Sequence, residues 1–178
     1  MVFADISGST SLYEALGNEQ AAQAVTHVTQ WISESIAAHG GRLVKKMGDG
    51  VLGVFGDAAS AVSAMASLQR QHLARQGRWP YPLRMDIRMG VASGEVVEVE
   101  GDCYGDAVNV ASRLCERAGP GEIWATEVSI LLAGESPDVH YRKLGMVELR
   151  GKAELLTLYQ VEWRDDEAPD SLTTRAAL

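Results

Sequence analysis

Residues 44–51 read VKKMGDGV: two lysines, a methionine, then an aspartate held between glycines, with RLV before and VLGVF overlapping and following. Asp-Gly between apolar runs is a strong hairpin signal, because both residue types tolerate φ > 0 and suit the twist of the flanking strands. Gly48-Asp49-Gly50 is therefore predicted as the turn of a hairpin over about 42–56, with the lysines as solvated edge residues. A second reading competes with this one. Glycine on each side of Asp49 lets a bulky ligand approach the backbone, and the carboxylate stands bare at the hairpin tip.

Working outward, MVFADI at the start reads as a short buried strand that ends beside Asp5, and SGSTSLYEALG supplies hydroxyl caps and a short helical turn. Ala21, Val25, Val28, Ile32 and Ile36 fall at helical spacing and predict a long helix from about Asn18 to His39, stopped by Gly40-Gly41. After the hairpin, Ala58, Ala61, Val62, Met65, Leu68 and Leu73 predict an amphipathic helix over 57–76, ended by GRWPYP. LRMDIRMGVASG and EVVEVEG read as strands. Strand–helix–strand–strand–helix–strand is the order of an α+β, ferredoxin-like βαββαβ core, an antiparallel sheet with helices packed on one face. A C-terminal α/β extension follows: a helix over about 105–117, the short strand EIWA, a helix from Thr126, and the pair VHYRKLGMVELRG and ELLTLYQVEW. Residues 164–178 are polar and aperiodic and are predicted to be disordered.

The totals narrow the function classes. With 178 residues the chain fits one domain able to bury roughly 70% of its unfolded surface. Twenty-four acids against sixteen bases leave a net charge of −8, the wrong sign for generic binding to nucleic acid or an anionic membrane. An RNA-binding ferredoxin-like domain also wants aromatic stacking motifs that are missing here. Cys103 and Cys115 are too few for a disulfide framework or zinc site, which points to a reducing cytoplasm. The chain holds no 18-residue apolar run and no leader, so no direct membrane contact is expected of it. It opens inside an apolar strand, so it is expected to be a domain cut from a longer protein whose upstream part carries a regulator or anchor.

Asp5 sits where a buried strand hands over to a polar loop, and capping the next turn would explain it. In a ferredoxin-like order the first strand is central and is expected beside the strand leading into the hairpin. The end of MVFADI and the tip of KMGDGV then meet at one edge of the sheet. Two carboxylates so placed repel, and a hard divalent ion with phosphate and water ligands removes that cost. In GDCYGDAVNVASRL, Val108, Ala111, Ser112 and Cys115 predict a small-residue packing face. Asn109 and Arg113, one turn apart, lie to its side as donors suited to sugar and phosphate oxygens. A surface arginine paired with Glu116 or Asp106 is the alternative.

Together and in this order, FADISGST, VKKMGDGV and GDCYGDAVNVASRL resemble the catalytic domain of class III nucleotidyl cyclases, of the bacterial adenylate cyclase type. The resemblance runs from Met1 to about Trp163, so residues 1–163 are expected to form the catalytic domain. It implies that Asp5 and Asp49 hold two divalent metal ions, Mg²⁺ or Mn²⁺. It implies that Lys45 and Asp102 bind the purine, that Asn109 orients the ribose, and that Arg113 meets the transition state. Arg150, with Lys152 as a nearby alternative, would bind the terminal phosphates. Lys46 could replace Lys45, and Cys103 adjoins Asp102; a lysine with an aspartate is the adenine-type combination. The activity implied is conversion of ATP to cyclic AMP and pyrophosphate in a homodimer whose sites are shared between chains. Guanylate cyclase activity is one alternative, and a catalytically silent nucleotide-binding or dimerisation module is another.

Overall fold

The structure, a computed structural model of the chain, describes residues 1–78, 84–150, 152 and 154–164. The tail predicted over 164–178 lies outside these residues except for Arg164, as do residues 79–83 of the breaker stretch. The elements are β1 (Val2–Ser7), α1 (Ser9–Leu16), α2 (Asn18–Ala38), β2 (Arg42–Met47), β3 (Gly50–Val54), α3 (Ala58–Gln76) and β4 (Asp86–Val91). They continue as β5 (Val97–Val99), β6 (Asp102–Tyr104), α4 (Asp106–Arg117), β7 (Ile123–Thr126), α5 (Glu127–Ala133), β8 (His140–Val147) and β9 (Leu156–Glu162). Among the described residues no helix is long and apolar enough to cross a membrane.

Seven strands form one sheet in the order β2-β3-β1-β4-β7-β9-β8. Its first four strands are antiparallel neighbours in the ferredoxin-like order. The extension joins through a parallel β4–β7 pair and then returns to antiparallel β9 and β8. β1 is central, but its neighbour is β3, which leaves the hairpin turn, and not β2, which enters it. The helical crossover sets β2 parallel to β1 one strand away, and β3 folds back into the gap. The stretch EVVEVEG does not join the sheet: its residues 97–99 pair with β6, a strand the sequence did not announce, to make a separate hairpin.

Strand alternation sorts the side chains into two cores. Val2, Ala4 and Ile6 of β1 and Ile87, Met89 and Val91 of β4 pack with α1, α2 and α3. On α2 the predicted Ala21, Val25, Val28, Ile32 and Ile36 are all buried. On α3 the same holds for the predicted positions up to Leu68, whereas Leu73 is exposed and His72 turns inward instead. Met1, Phe3 and Leu52 face the other way, against α4. Helices therefore cover both faces of the sheet, not one.

The packing of α4 is unusually close. A Cβ at Gly90 would lie 2.1 Å from the Ala111 carbonyl oxygen and 2.7 Å from the Cys115 nitrogen, so only glycine admits the helix. The buried stripe is Ala107, Val110, Ala111, Leu114 and Cys115. The predicted face was rotated from this, since Val108 and Ser112 are only half-buried. Small residues made two overlapping helical series possible, and the larger Val110 and Leu114 decide between them.

Candidate active site

The last pair of the β2–β3 hairpin is Met47↔Gly50, leaving a two-residue loop of Gly48 and Asp49. Gly48 takes φ +65°, the glycine-first form of such loops, so the turn is Gly-Asp and Gly50 already belongs to the strand. The register Asp5↔Gly50 sets this loop beside the end of β1, and the Ile6 amide donates to the Asp49 carbonyl at 3.4 Å. Asp5 and Asp49 thus share one edge of the sheet.

Asp5 is also paired in register with Arg88 of β4. Arg88 Nε and Nη2 both donate to Asp5 Oδ2, at 3.0 and 2.6 Å, and Nη1 donates to the Glu116 carbonyl at 3.0 Å. Asp49 Oδ2 accepts from Ser9 Oγ at 2.6 Å. Burial pushes the Asp5 carboxyl above its ordinary value, Arg88 pulls it back, and the neighbouring Asp49 pushes it up again. Neither Arg88 nor Ser9 was singled out from the sequence. The available signal was the alternation in DIRMGV: Ile87, Met89 and Val91 point into one core, which leaves Arg88 on the face of Asp5.

The donor set suits a hard cation. Two acceptor-only carboxylates converge at a strand end, and the upward push of Asp49 on Asp5 is the repulsion that a cation removes. Among the described residues no third acid, histidine or cysteine completes a metal cluster. Further ligands would then be phosphate and water oxygens, the environment Mg²⁺ prefers.

A second group forms on the other side of the hairpin. β2 carries a bulge between Leu43 and Lys45, after which Lys45 pairs with Leu52 and Lys46 with Val51. Because Leu52 faces α4 and Val51 faces the opposite core, the two lysines diverge. Lys45 Nζ donates to Asp102 Oδ2 at 2.6 Å, whereas Lys46 Nζ reaches Gln30 Oε1 on α2 at 2.7 Å. Lys45 holds the Asp102 carboxyl below its ordinary value, and Asp102 raises that of Lys45. Arg42 fastens the β5–β6 hairpin to β2 through Glu98, at 2.7 Å, and the Gly101 carbonyl, at 3.2 Å. Cys103 is buried and turned toward Arg42 Nη2, so Asp102 is the residue that meets Lys45.

On α4, Asn109 is exposed and Arg113 half-buried. Arg113 pairs with neither Glu116 nor Asp106 and makes no hydrogen bond or ion pair with any described residue. Asp106 is taken by Lys152, whose Nζ lies 2.5 Å away. Arg150 is exposed and free of such contacts among the described residues. One chain therefore assembles two groups, Asp5–Asp49–Arg88–Ser9 and Lys45–Asp102. No hydrogen bond or ion pair among the described residues joins either group to the other, or to Asn109, Arg113 or Arg150.

The family model for the adenylate and guanylate cyclase catalytic domain matches residues 1–162. An uncharacterized protein of Mycobacterium tuberculosis, Rv2212, is 36% identical over 123 residues, covering 69% of this chain and 31% of its own length. An adenylate cyclase of Streptomyces coelicolor is 37% identical over 112 residues, covering 63% of this chain and 28% of its own. The chain thus spans about a third of the length of these curated relatives. Among solved structures, the adenylyl cyclase CyaB from P. aeruginosa superposes with a TM-score of 0.76 at 27% identity, over 94% of this chain and 95% of that one. From β1 to the end of β9, this chain belongs to the adenylate and guanylate cyclase catalytic domain family.

Proposed function

We propose that the chain is an adenylate cyclase, converting ATP to 3′,5′-cyclic AMP and pyrophosphate at sites shared between two copies. The observation that carries this reading is the Lys45–Asp102 pair, an ammonium donor and a carboxylate acceptor held 2.6 Å apart. Adenine offers a ring-nitrogen acceptor and an exocyclic amino donor, the complement of that pair. Guanine reverses the polarity at its six position and leaves one partner unpaired. The relatives named as adenylate cyclases favour the same nucleotide.

Nucleophile and electrophile lie in one substrate, so the protein's task is to fold ATP and stabilise charge as the 3′-oxygen attacks the α-phosphorus. Asp5 and Asp49 are assigned to two divalent cations, which when bound supply charge neutralisation of the triphosphate and a more acidic 3′-hydroxyl. Lys45 and Asp102 fix the purine, and Asn109 fixes the ribose one helical turn from Arg113. The Arg113 guanidinium, uncommitted among the described residues of its own chain, meets charge developing at the α-phosphate, an effect worth roughly 10³–10⁵ in rate in related phosphoryl transfers. Arg150 is assigned to the terminal phosphates, because Lys152 is already engaged by Asp106.

The separation of the two groups within one chain supports a site divided between copies. Asp5 and Asp49 come from one chain, and Lys45, Asp102, Asn109, Arg113 and Arg150 from the other. Exposed Met47, Val97, Val99 and Tyr104 supply apolar surface for that contact. The test is incubation with ATP and Mn²⁺, with GTP as control, measuring cyclic nucleotide and pyrophosphate. Nucleotide binding without turnover would favour a silent binding module.

A further inference from the structure

Arg42 and Lys45 both lie on β2, and a regular strand would send residues at that odd spacing to opposite faces. The bulge between Leu43 and Lys45 adds one step, so Arg42 pairs with Val54 and Lys45 with Leu52, both on the face turned to α4. The two side chains therefore reach the same object, the β5–β6 hairpin, which stands outside the seven-stranded sheet. Arg42 touches each part of it. Nη2 donates to Glu98 Oε2 of β5 at 2.7 Å and points to Cys103 Sγ of β6 at 3.6 Å, while Nη1 donates to the Gly101 carbonyl of the turn at 3.2 Å. That turn needs holding. Its loop residues, Glu100 and Gly101, follow Val99 and precede Asp102, its pairing partner, and both take positive φ, +51° and +82°. Loops of this form favour asparagine or glycine at the first position, so the glutamate is strained there. Asp102 leaves this turn directly and meets Lys45 at 2.6 Å.

Resting on the assignment of Lys45 and Asp102 to the purine, we infer that Arg42 is a positioning residue for base selection. By clamping the β5–β6 hairpin to β2 it fixes the spacing of Lys45 and Asp102, and so the margin by which ATP is preferred to GTP. A planar fork suits this task, because it serves a carboxylate and a carbonyl at once, which the point charge of a lysine does less well. The ion pair alone adds little stability, since its side chains are 43% and 57% exposed. Its effect lies in direction. Hydrogen bonds discriminate between bases only while donor and acceptor are held in place, and a hairpin free to tilt would let either base find a partner. Arg42 needs no contact with the nucleotide to act in this way.

The test compares kcat/KM for ATP and GTP, with Mn²⁺, in the full chain and in folded Arg42→Ala and Arg42→Lys proteins, at concentrations where activity per chain is constant. Arg42→Ala is expected to raise KM for ATP and to lower the ATP-to-GTP ratio of kcat/KM about fivefold, with kcat within about twofold of the unmodified value. Arg42→Lys should fall between the two. In a Lys45→Ala background, where the pair is already broken, Arg42→Ala should shift the ratio by less than about twofold. An unchanged ratio in Arg42→Ala, or an equal shift with and without Lys45, overturns the inference. A ratio that Lys45→Ala leaves unchanged would instead overturn the assignment of the pair to the purine. Should Arg42→Ala fail to fold, or no cyclic nucleotide form, a carboxyl ¹³C titration of Asp102 in Glu98→Ala decides. Lys45 holds the Asp102 carboxyl below its ordinary value, and loosening the clamp is expected to move it up, although loss of the Glu98 charge by itself acts downward. An Asp102 pKa that stays fixed or falls in Glu98→Ala overturns the inference.

Discussion

Lys45 and Asp102 are 57 positions apart in sequence and 2.6 Å apart in space, joined because the β5–β6 hairpin is fastened to β2. The neighbouring Lys46 points across the sheet to Gln30. Lys45→Ala is therefore expected to lower kcat/KM for ATP by about 10- to 100-fold, the loss of one purine contact. Lys46→Ala removes an exposed contact and should change it less than about twofold. Steady-state kinetics on the two variants check this; equal effects would mean the bulge in β2 does not select between the lysines.

A divided site makes complementary defects repairable. Asp49→Ala and Arg113→Ala proteins should each be inactive alone. Mixed in equal amounts they should reach about a quarter of the unmodified activity, because half of the dimers are mixed and each holds one intact site. Mixed dimers without recovered activity would mean that one and the same chain supplies both residues to a site.

Asp5 gives the metal-free chain a pH dependence of definite sign. Its neighbours include Arg88 on β4, Asp49 on the hairpin and Cys115 on α4, and the net effect, led by burial, is a raised pKa. The folded chain holds this proton more tightly than the unfolded chain. Asp5 thus contributes stability fully present below about pH 3.9 and lost as pH rises through its raised folded value. Asp102, whose pKa is lowered by Lys45, acts oppositely and loses its contribution as pH falls through its folded value. Subtracting the melting curves of Asp5→Asn from those of the unmodified chain isolates the first effect. The difference should fall as pH rises above about 4 and then level off.

Gly90→Ala tests the close approach of α4. The obstacle at 2.1 Å is backbone oxygen, not a side chain that could turn aside. The expected loss is about 1–3 kcal/mol or more, with Tm falling by about 2–4 °C per kcal/mol. A thermal melt measures it directly. An unchanged Tm would mean that α4 can lift from β4 freely.

Much of this architecture was legible before any coordinates. Apolar periodicity placed α2 and α3 nearly to the residue, and the glycines around Asp49 marked the hairpin. What escaped depends on partners distant in sequence. Arg88 lies on β4, 83 positions from Asp5, and acquires its role only when β1 and β4 pair. The divergence of Lys45 and Lys46 comes from a bulge that leaves no residue signature. β6 is three residues long, too short for a period to show. The face of α4 differs from the one its spacing predicts because a stripe of alanines, serine and cysteine fits two rotations about equally well. The placing of β3, not β2, beside β1 is a property of the crossover, not of either strand's composition.

The central claim is that the acids on β1 and the hairpin loop serve cyclisation of ATP. The most direct measurement is the joint yield of cyclic AMP and pyrophosphate from ATP with Mn²⁺, for the unmodified chain and Asp49→Ala. Equal amounts of the two products are expected from the unmodified chain, with none above background from Asp49→Ala and much less product when GTP replaces ATP. ATP that is bound but left intact, or product formation undiminished in Asp49→Ala, would contradict the account.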